Sequence, residues 1–299
     1  MSAPPRILLI ASDTIGPSMA GSGIRAWNLA RVIGTRQPVT LATINDVSLP
    51  PPSGVTLHSY ASPDVNERGR TLADLIASHD VVIAQHIPYM YTEPEVLNER
   101  FLIVDLYAPW ILEKLEYARV DAEIGEPGRK DDVAILNRLL SLGDAFICAS
   151  ERQRDFWLGA LAAANRLDTA RTRHDPSLRD LIDVVPFGLP SAAPVRTGAG
   201  PREQIAAVGQ DAKLILWNGG LWNWLDPFTA IEAMALVVER EPRARLVFMG
   251  VRSPSGVVAP MRIVDDARAL AERLGLLDRV IIFNDWVPYE ERQNWLLDA

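Results

Sequence analysis

Residues 214–227 read LILWNGGLWNWLDP, and the fold is decided by how this stretch is read. A short apolar run over 214–217 ends in Asn218, Gly219 and Gly220; a tryptophan-flanked loop follows, and Asp226 and Pro227 open a helical pattern. Strand, glycine turn and helix start together form an anion site in α/β proteins. Glycines let the backbone approach a phosphate, and a helix N-terminus presents free N–H groups.

The same alternation continues downstream. A helix is expected over 227–239, a strand over 244–249 (ARLVFM) ending at Gly250, a helix over 261–274, and a strand over 279–283 (RVIIF) that runs into NDWVP and a helical EERQNWLLDA. Upstream, PREQIAAV (201–208) reads as helix, and before it SAAPVRTGAGP is rich in Pro, Gly and Ala with few large apolar residues, as a linker is.

The first half repeats the pattern more often. Residues 6–11 (RILLIA) form a continuous apolar run, as a parallel strand buried on both faces does. Further strands are expected over 39–44, 55–60, 80–85, 101–106, 145–149 and 181–185, with helices over 24–33, 70–78, 110–119, 131–142 and from Glu151 onward. Such alternation marks a doubly wound parallel sheet, whose ligands sit beyond the carboxyl ends of the strands. Those ends carry Gln85 and His86, Asp105 and Tyr107, and Ser150 and Glu151. His86 follows a strand directly and precedes a proline loop, where it either faces the cleft or is an ordinary loop histidine. Asp105 interrupts an apolar strand near its end, and serves either as a site carboxylate or as the cap of a helix beginning near Pro109. Gly16, Gly21 and Gly23 in the first loop do not fit the dinucleotide spacing GxGxxG. The arginine-rich stretch 165–180 reads as a solvated face, with an acceptor-binding lip as the alternative.

Composition narrows the class. With 48% hydrophobic and 23% charged residues the 299-residue chain is globular and long enough for two domains. A formal net charge of -8 argues against a general nucleic-acid binder. The single cysteine, Cys148, excludes an internal disulfide and a cysteine-based metal cluster, and fits a reducing compartment; its neighbours AFICAS read as a buried strand. The N-terminal apolar run is too short for a signal sequence or a membrane span, so the expected location is the cytoplasm, with peripheral membrane contact only through a substrate.

Assembled, these motifs resemble the retaining GT-B glycosyltransferases of family 4, the group 1 glycosyltransferases. VVPFGLP is similar to the VIPNGVD segment where that family's chain leaves its N-terminal domain. ILWNGGLWNWLDPFTAIEAM resembles the strand, glycine loop and helix that cradle the donor diphosphate, and ARLVFMG and RVIIFNDWVPYEERQNWL resemble the next two strands, the second followed by the loop that holds the base. GSGIRAWNLARVIG resembles the N-domain glycine loop and its helix.

The resemblance implies an α/β GT-B fold of two Rossmann-like domains with parallel sheets: residues 1–190 on the acceptor side, a linker over 191–200, and a donor domain over 201–299 that is incomplete, with three clear strands against about seven. It implies sugar transfer from a nucleotide diphosphate sugar to an acceptor hydroxyl on a glycan, a lipid-linked or a small molecule, with retention and without a metal or other cofactor; the sequence has no DxD pair. Catalytic positions would be His86, in the place of a histidine that contacts the sugar, or Asp105. Donor-binding positions would be Gly21, Gly23, Asn218, Gly219, Gly220, Trp222, Asn223, Gly250, Trp286 and Val287.

Two departures modify the expectation. Where the family places an Arg and a Lys after the glycine loop, this chain has Leu221, Trp222, Asn223, Trp224 and Leu225, so Arg25 or Arg252 would have to supply the charge and the tryptophans would close over an apolar sugar face. The family's E-x7-E element has no match after Trp286, which reads as truncation and implies impaired turnover. A nucleotide-sugar epimerase on the same scaffold and a non-catalytic GT-B partner protein are the alternatives.

Overall fold

The computed structural model describes residues 4–45, 47–87, 96–97, 99–120, 122–252, 254 and 261–299. The chain divides into two compact units, Met1–Gly188 and Leu189–Ala299.

In the first unit, β1 (Ile7–Ala11) has all five residues buried, since it lies inside the sheet with parallel neighbours at both edges and helices over both faces. It pairs with β2 (Val39–Thr43) and β4 (Val81–Ala84), and the sheet is completed by β3 (Val55–Ser59), β5 (Phe101–Asp105), β6 (Ala145–Cys148) and β7 (Ile182–Val184) in the order β3-β2-β1-β4-β5-β6-β7. All six pairings are parallel. The direction of winding reverses between β1 and β4, and that switch point is where doubly wound sheets open a crevice. The helices are α1 (Gly21–Gly34), α2 (Val65–Ala77), α3 (Trp110–Val120), α4 (Ala122–Leu142), α5 (Glu151–Ala163) and α6 (Thr169–His174).

Capping explains where these helices begin. Asp64 accepts from the Asn66 amide at 2.9 Å, which starts α2 five residues before its apolar periodicity becomes visible. Ser150 caps α5 and Asp168 caps α6 in the same manner. The core gathers Leu8, Ile10, Val82, Leu102, Val104, Phe146 and Cys148, closed by Trp157, whose indole N–H donates to the Leu106 carbonyl at 2.9 Å. Cys148 is fully buried there, and burial pushes its thiol pKa up. The stretch 165–180 is mostly exposed, but it is not merely solvated. Arg166 donates to the carbonyls of Leu140, Ser141 and Gly143, satisfying the end of α4. Arg179 clamps Glu151 and Asp183.

The second unit has a three-stranded parallel sheet, β8 (Lys213–Gly220), β9 (Ala244–Gly250) and β10 (Ile281–Phe283), in the order β10-β9-β8. Its helices are α7 (Pro201–Gln204), α8 (Pro227–Arg240), α9 (Arg262–Arg273) and α10 (Arg292–Asp298). Val247, Met249, Ile282, Val287 and Trp295 form its core with Val208 and Ala212. The helix expected over 201–208 stops after one turn, because Ile205 turns extended and Val208 drops into that core. Residues of the expected linker are held to α10: the Thr197 amide donates to Asn294 at 2.8 Å, and the Arg202 amide beyond them donates to Asp298 at 2.9 Å. Among the described residues no helix is long and apolar enough to cross a membrane.

Candidate functional site

The carboxyl end of β8 departs from the expected turn. The strand runs on through Gly220, which pairs with Gly250 of β9 after a bulge between Trp217 and Gly220. Gly219 takes φ +152°, which side-chain-bearing residues rarely adopt, and nothing lies within 4 Å of where a side chain would stand. Gly220 lies against the Trp222 ring, and Gly250 against the Trp286 ring. A Cβ on Gly250 would stand 3.8 Å from the Gly219 carbonyl, so Gly219, Gly220, Gly250, Trp222 and Trp286 come together at the ends of two adjacent parallel strands.

Trp222 stacks on Trp224 with centroids 5.8 Å apart and planes 12° from parallel. Two expected donor positions make contacts within the second unit. The Asn223 backbone N–H donates to the Met261 sulfur at 3.3 Å, and Val287 is a core residue, 4% exposed. The helix start is also different from expectation. Pro227 has no N–H, and Asp226 accepts from both the Thr229 amide (3.1 Å) and the Thr229 hydroxyl (2.6 Å), so the chain's own carboxylate occupies the place an external anion would take at α8. The Thr229 hydroxyl and amide hold the Asp226 carboxyl below its usual range.

Sequence reading missed Arg292. This first residue of α10 donates through Nη2 to Asn218 Oδ1 at 2.8 Å, across 74 positions of chain. Burial pushes its guanidinium pKa down, against an opposing influence from Tyr289. The only signal available was its place in EERQNW, shortly after the third strand of this unit. Arg252, expected to supply charge, pairs instead with Asp265 at 3.3 Å.

In the first unit the carboxyl edge of the sheet carries a continuous polar chain. Ser12 donates to Gln85 at 2.8 Å, Gln85 donates to Asp105 at 3.3 Å, and Asp105 forms a two-pronged pair with Arg25 of α1 at 2.6 and 3.0 Å. Arg25 goes on to donate to the Val185 carbonyl beyond β7 at 2.8 Å, and its guanidinium faces the rings of Tyr107 (5.1 Å) and Phe187 (5.6 Å). Asp105 also accepts from the Tyr107 amide, and it does not cap α3. Its two oxygens thus accept four hydrogen bonds, the full capacity of a carboxylate, so no lone pair remains for a substrate proton. Arg25, consumed by this pair, supplies no charge elsewhere.

His86 is the more open candidate. Its Nε2 lies 3.8 Å from Asp132 of α4, its ring meets Trp110 edge-on at 5.5 Å, and its side chain is 30% exposed. Lys114 approaches the other Asp132 oxygen at 3.4 Å. Burial raises the Asp132 carboxyl, but His86 and Lys114 outweigh it and the net shift is downward. Gly21 and Gly23 start α1 beneath this edge. A side chain at Gly21 would meet the Tyr107 hydroxyl at 3.0 Å, and one at Gly23 would meet the Thr14 carbonyl at 2.7 Å. The loop before them closes on Asp13, which accepts from the Thr14 and Ala20 amides and the Ser22 hydroxyl, so here too a carboxylate of the chain sits at the helix start. His86 and Asp105 belong to the first unit and the residues around Gly219 to the second. Among the described residues, no three His, Cys, Asp or Glu side chains gather as a metal site would require.

Solved structures place this architecture. The chain superposes on Anabaena HepE, determined with UDP and glucose, with a TM-score of 0.59 over 99% of this chain and 72% of that one, at 15% identity. It superposes on WaaG, a glycosyltransferase of lipopolysaccharide biosynthesis, with a TM-score of 0.59 over 96% of this chain and 71% of that one, at 14% identity. The fold is GT-B. A candidate UDP-N-acetylglucosamine 2-epimerase of Listeria monocytogenes also matches the GT-B chain, with a TM-score of 0.53, over 99% of this chain and 73% of that one, at 12% identity. No family profile matches the sequence, and no curated protein is similar to it.

Proposed function

We propose that this GT-B chain is a retaining, metal-independent glycosyltransferase of the family 4 kind, acting in the cytoplasm on a nucleotide diphosphate sugar and an acceptor hydroxyl of a glycan, a lipid-linked or a small molecule. The observation that carries the reading is the meeting of Gly219, Gly220, Gly250 and Trp286 at the carboxyl ends of β8 and β9, the position where parallel sheets take ligands. There the open Gly219 backbone lets a diphosphate approach. The leaving diphosphate gains negative charge as the anomeric carbon becomes cationic, so fixed donors at that point lower the barrier. In the first unit His86, which lies 3.8 Å from Asp132, is the proposed catalytic position, and the Asp105–Arg25 pair stiffens the neighbouring strand end.

The loop 221–225 carries no Arg or Lys to hold the leaving diphosphate, so slow transfer is expected. Incubation with UDP-, GDP- and ADP-sugars and a panel of acceptors, followed by mass spectrometry, should detect the free nucleoside diphosphate and a product of unchanged anomeric configuration. Release of an inverted product would remove the retaining mechanism. Accumulation of an epimeric nucleotide sugar without transfer would favour the second reading, a nucleotide-sugar epimerase, which the likeness to the Listeria chain supports at the level of fold. Absence of both binding and turnover for every donor would leave only a non-catalytic partner protein.

A further inference from the structure

We propose that Arg292 anchors the diphosphate of the donor at the end of β8, taking the place of the cations that the loop 221–225 lacks; the inference rests on the glycosyltransferase reading above. Arginine presents five donors in a planar fork matched to phosphate oxygens. Asn218 engages one terminal nitrogen of Arg292 and fixes the fork beside Gly219. Among the described residues no carboxylate pairs with Arg292, in contrast to Arg252 with Asp265, Arg262 with Asp266 and Arg243 with Glu241. The guanidinium keeps its charge for an external anion.

Space and environment agree with this assignment. Gly219, at a φ that side-chain-bearing residues rarely adopt, leaves open volume where any other residue would project a side chain. Arg292 is partly buried, and a charge withdrawn from water interacts more strongly with an opposite charge than a fully solvated one does. Helix α8 is closed to an anion by Asp226, so the charge for this strand end comes from the opposite flank, from a residue beyond β10.

The test is calorimetric titration of the full chain with UDP, GDP, ADP and inorganic pyrophosphate, comparing the unmodified protein with Arg292→Gln, Arg292→Lys, Asn218→Asp and Arg252→Gln. Arg292→Gln should weaken the tightest of these ligands about 10- to 100-fold, as the loss of a charge-assisted hydrogen bond does. Arg292→Lys should recover part of that loss, a rescue that a purely structural role would not produce, and Arg252→Gln should bind as the unmodified chain does. Asn218→Asp, which pairs the guanidinium in place, should lose binding as well, and Arg292→Met takes the place of Arg292→Gln if the latter unfolds. Equal binding by the unmodified, Arg292→Gln and Asn218→Asp proteins overturns the role of Arg292 alone. Failure of the unmodified protein to bind any of the four ligands overturns the donor-site reading together with it.

Discussion

Asp105 and Arg25 are each about 2% exposed in their side chains and lie 2.6 Å apart, so neither charge has water to fall back on. Removing one partner of such a pair strands the other. Asp105→Ala should cost about 3–5 kcal/mol of stability in urea denaturation; a loss under about 1 kcal/mol would mean that the pair is not buried in solution. Glu113 makes the opposite case. Burial raises its carboxyl above the ordinary value of 4.5, with Lys114 opposing, so the folded state disfavours the charged form. That penalty is absent below pH 4.5 and grows as pH rises through it. Glu113→Gln should therefore raise the melting temperature at pH 7 and leave it nearly unchanged at pH 4. At this scale the sequence exposed positions but not partners. Asp105 stood out as an acid at a strand end, whereas Arg25, 80 residues away, and Asp132, on a helix surface, acquire meaning only once the sheet is assembled.

Elements were legible wherever burial is symmetrical. Runs such as ILLIA and VVIA are apolar on both faces because helices cover both sides of the sheet, and their strands fall within a residue or two of expectation. Helix starts were less legible, because a cap such as Asp64 is a single polar residue in a polar stretch. The start of α8 was visible as Asp-Pro, yet its consequence was misread: the carboxylate closes the N-terminus that the residues themselves suggest is open. Asp226 has its folded pKa depressed below 3.8 by Thr229, so its contribution is complete above that value and drains away as pH falls through the folded pKa. Asp226→Asn should flatten the acid limb of the stability curve below pH 4, measured by circular dichroism; an unchanged limb would remove the cap from the account. Gly23 belongs to the same scale. A methyl group there would stand 2.7 Å from the Thr14 carbonyl and 2.9 Å from Met19, so Gly23→Ala should destabilise the first unit by about 1–3 kcal/mol in urea as α1 is pushed off its loop.

At the level of the whole molecule, a seven-stranded and a three-stranded sheet divide the work unequally. The larger count for the first half was visible in the number of apolar runs, and GT-B followed from the order of motifs. The relation of β8 to α10, which brings Arg292 to Asn218, was not, since it depends on a crossing of chain segments that no spacing encodes. Reporters are unequally divided too. Of eight tryptophans, Trp27, Trp110 and Trp157 lie in the first unit and the other five in the second, which makes intrinsic fluorescence chiefly a signal from Leu189–Ala299. Cys148, by contrast, is the chain's only thiol and is sealed inside the seven-stranded sheet. A thiolate reagent reaches it only when that sheet opens, so the labelling rate is a clock for the first unit and is silent about the second. Labelling in native buffer should be slow and should accelerate with urea to one equivalent per chain, and immediate reaction without denaturant would contradict the burial. A protein with a single hidden thiol and a fluorescent far half carries its own pair of gauges, one for each unit, without a single label being engineered into it.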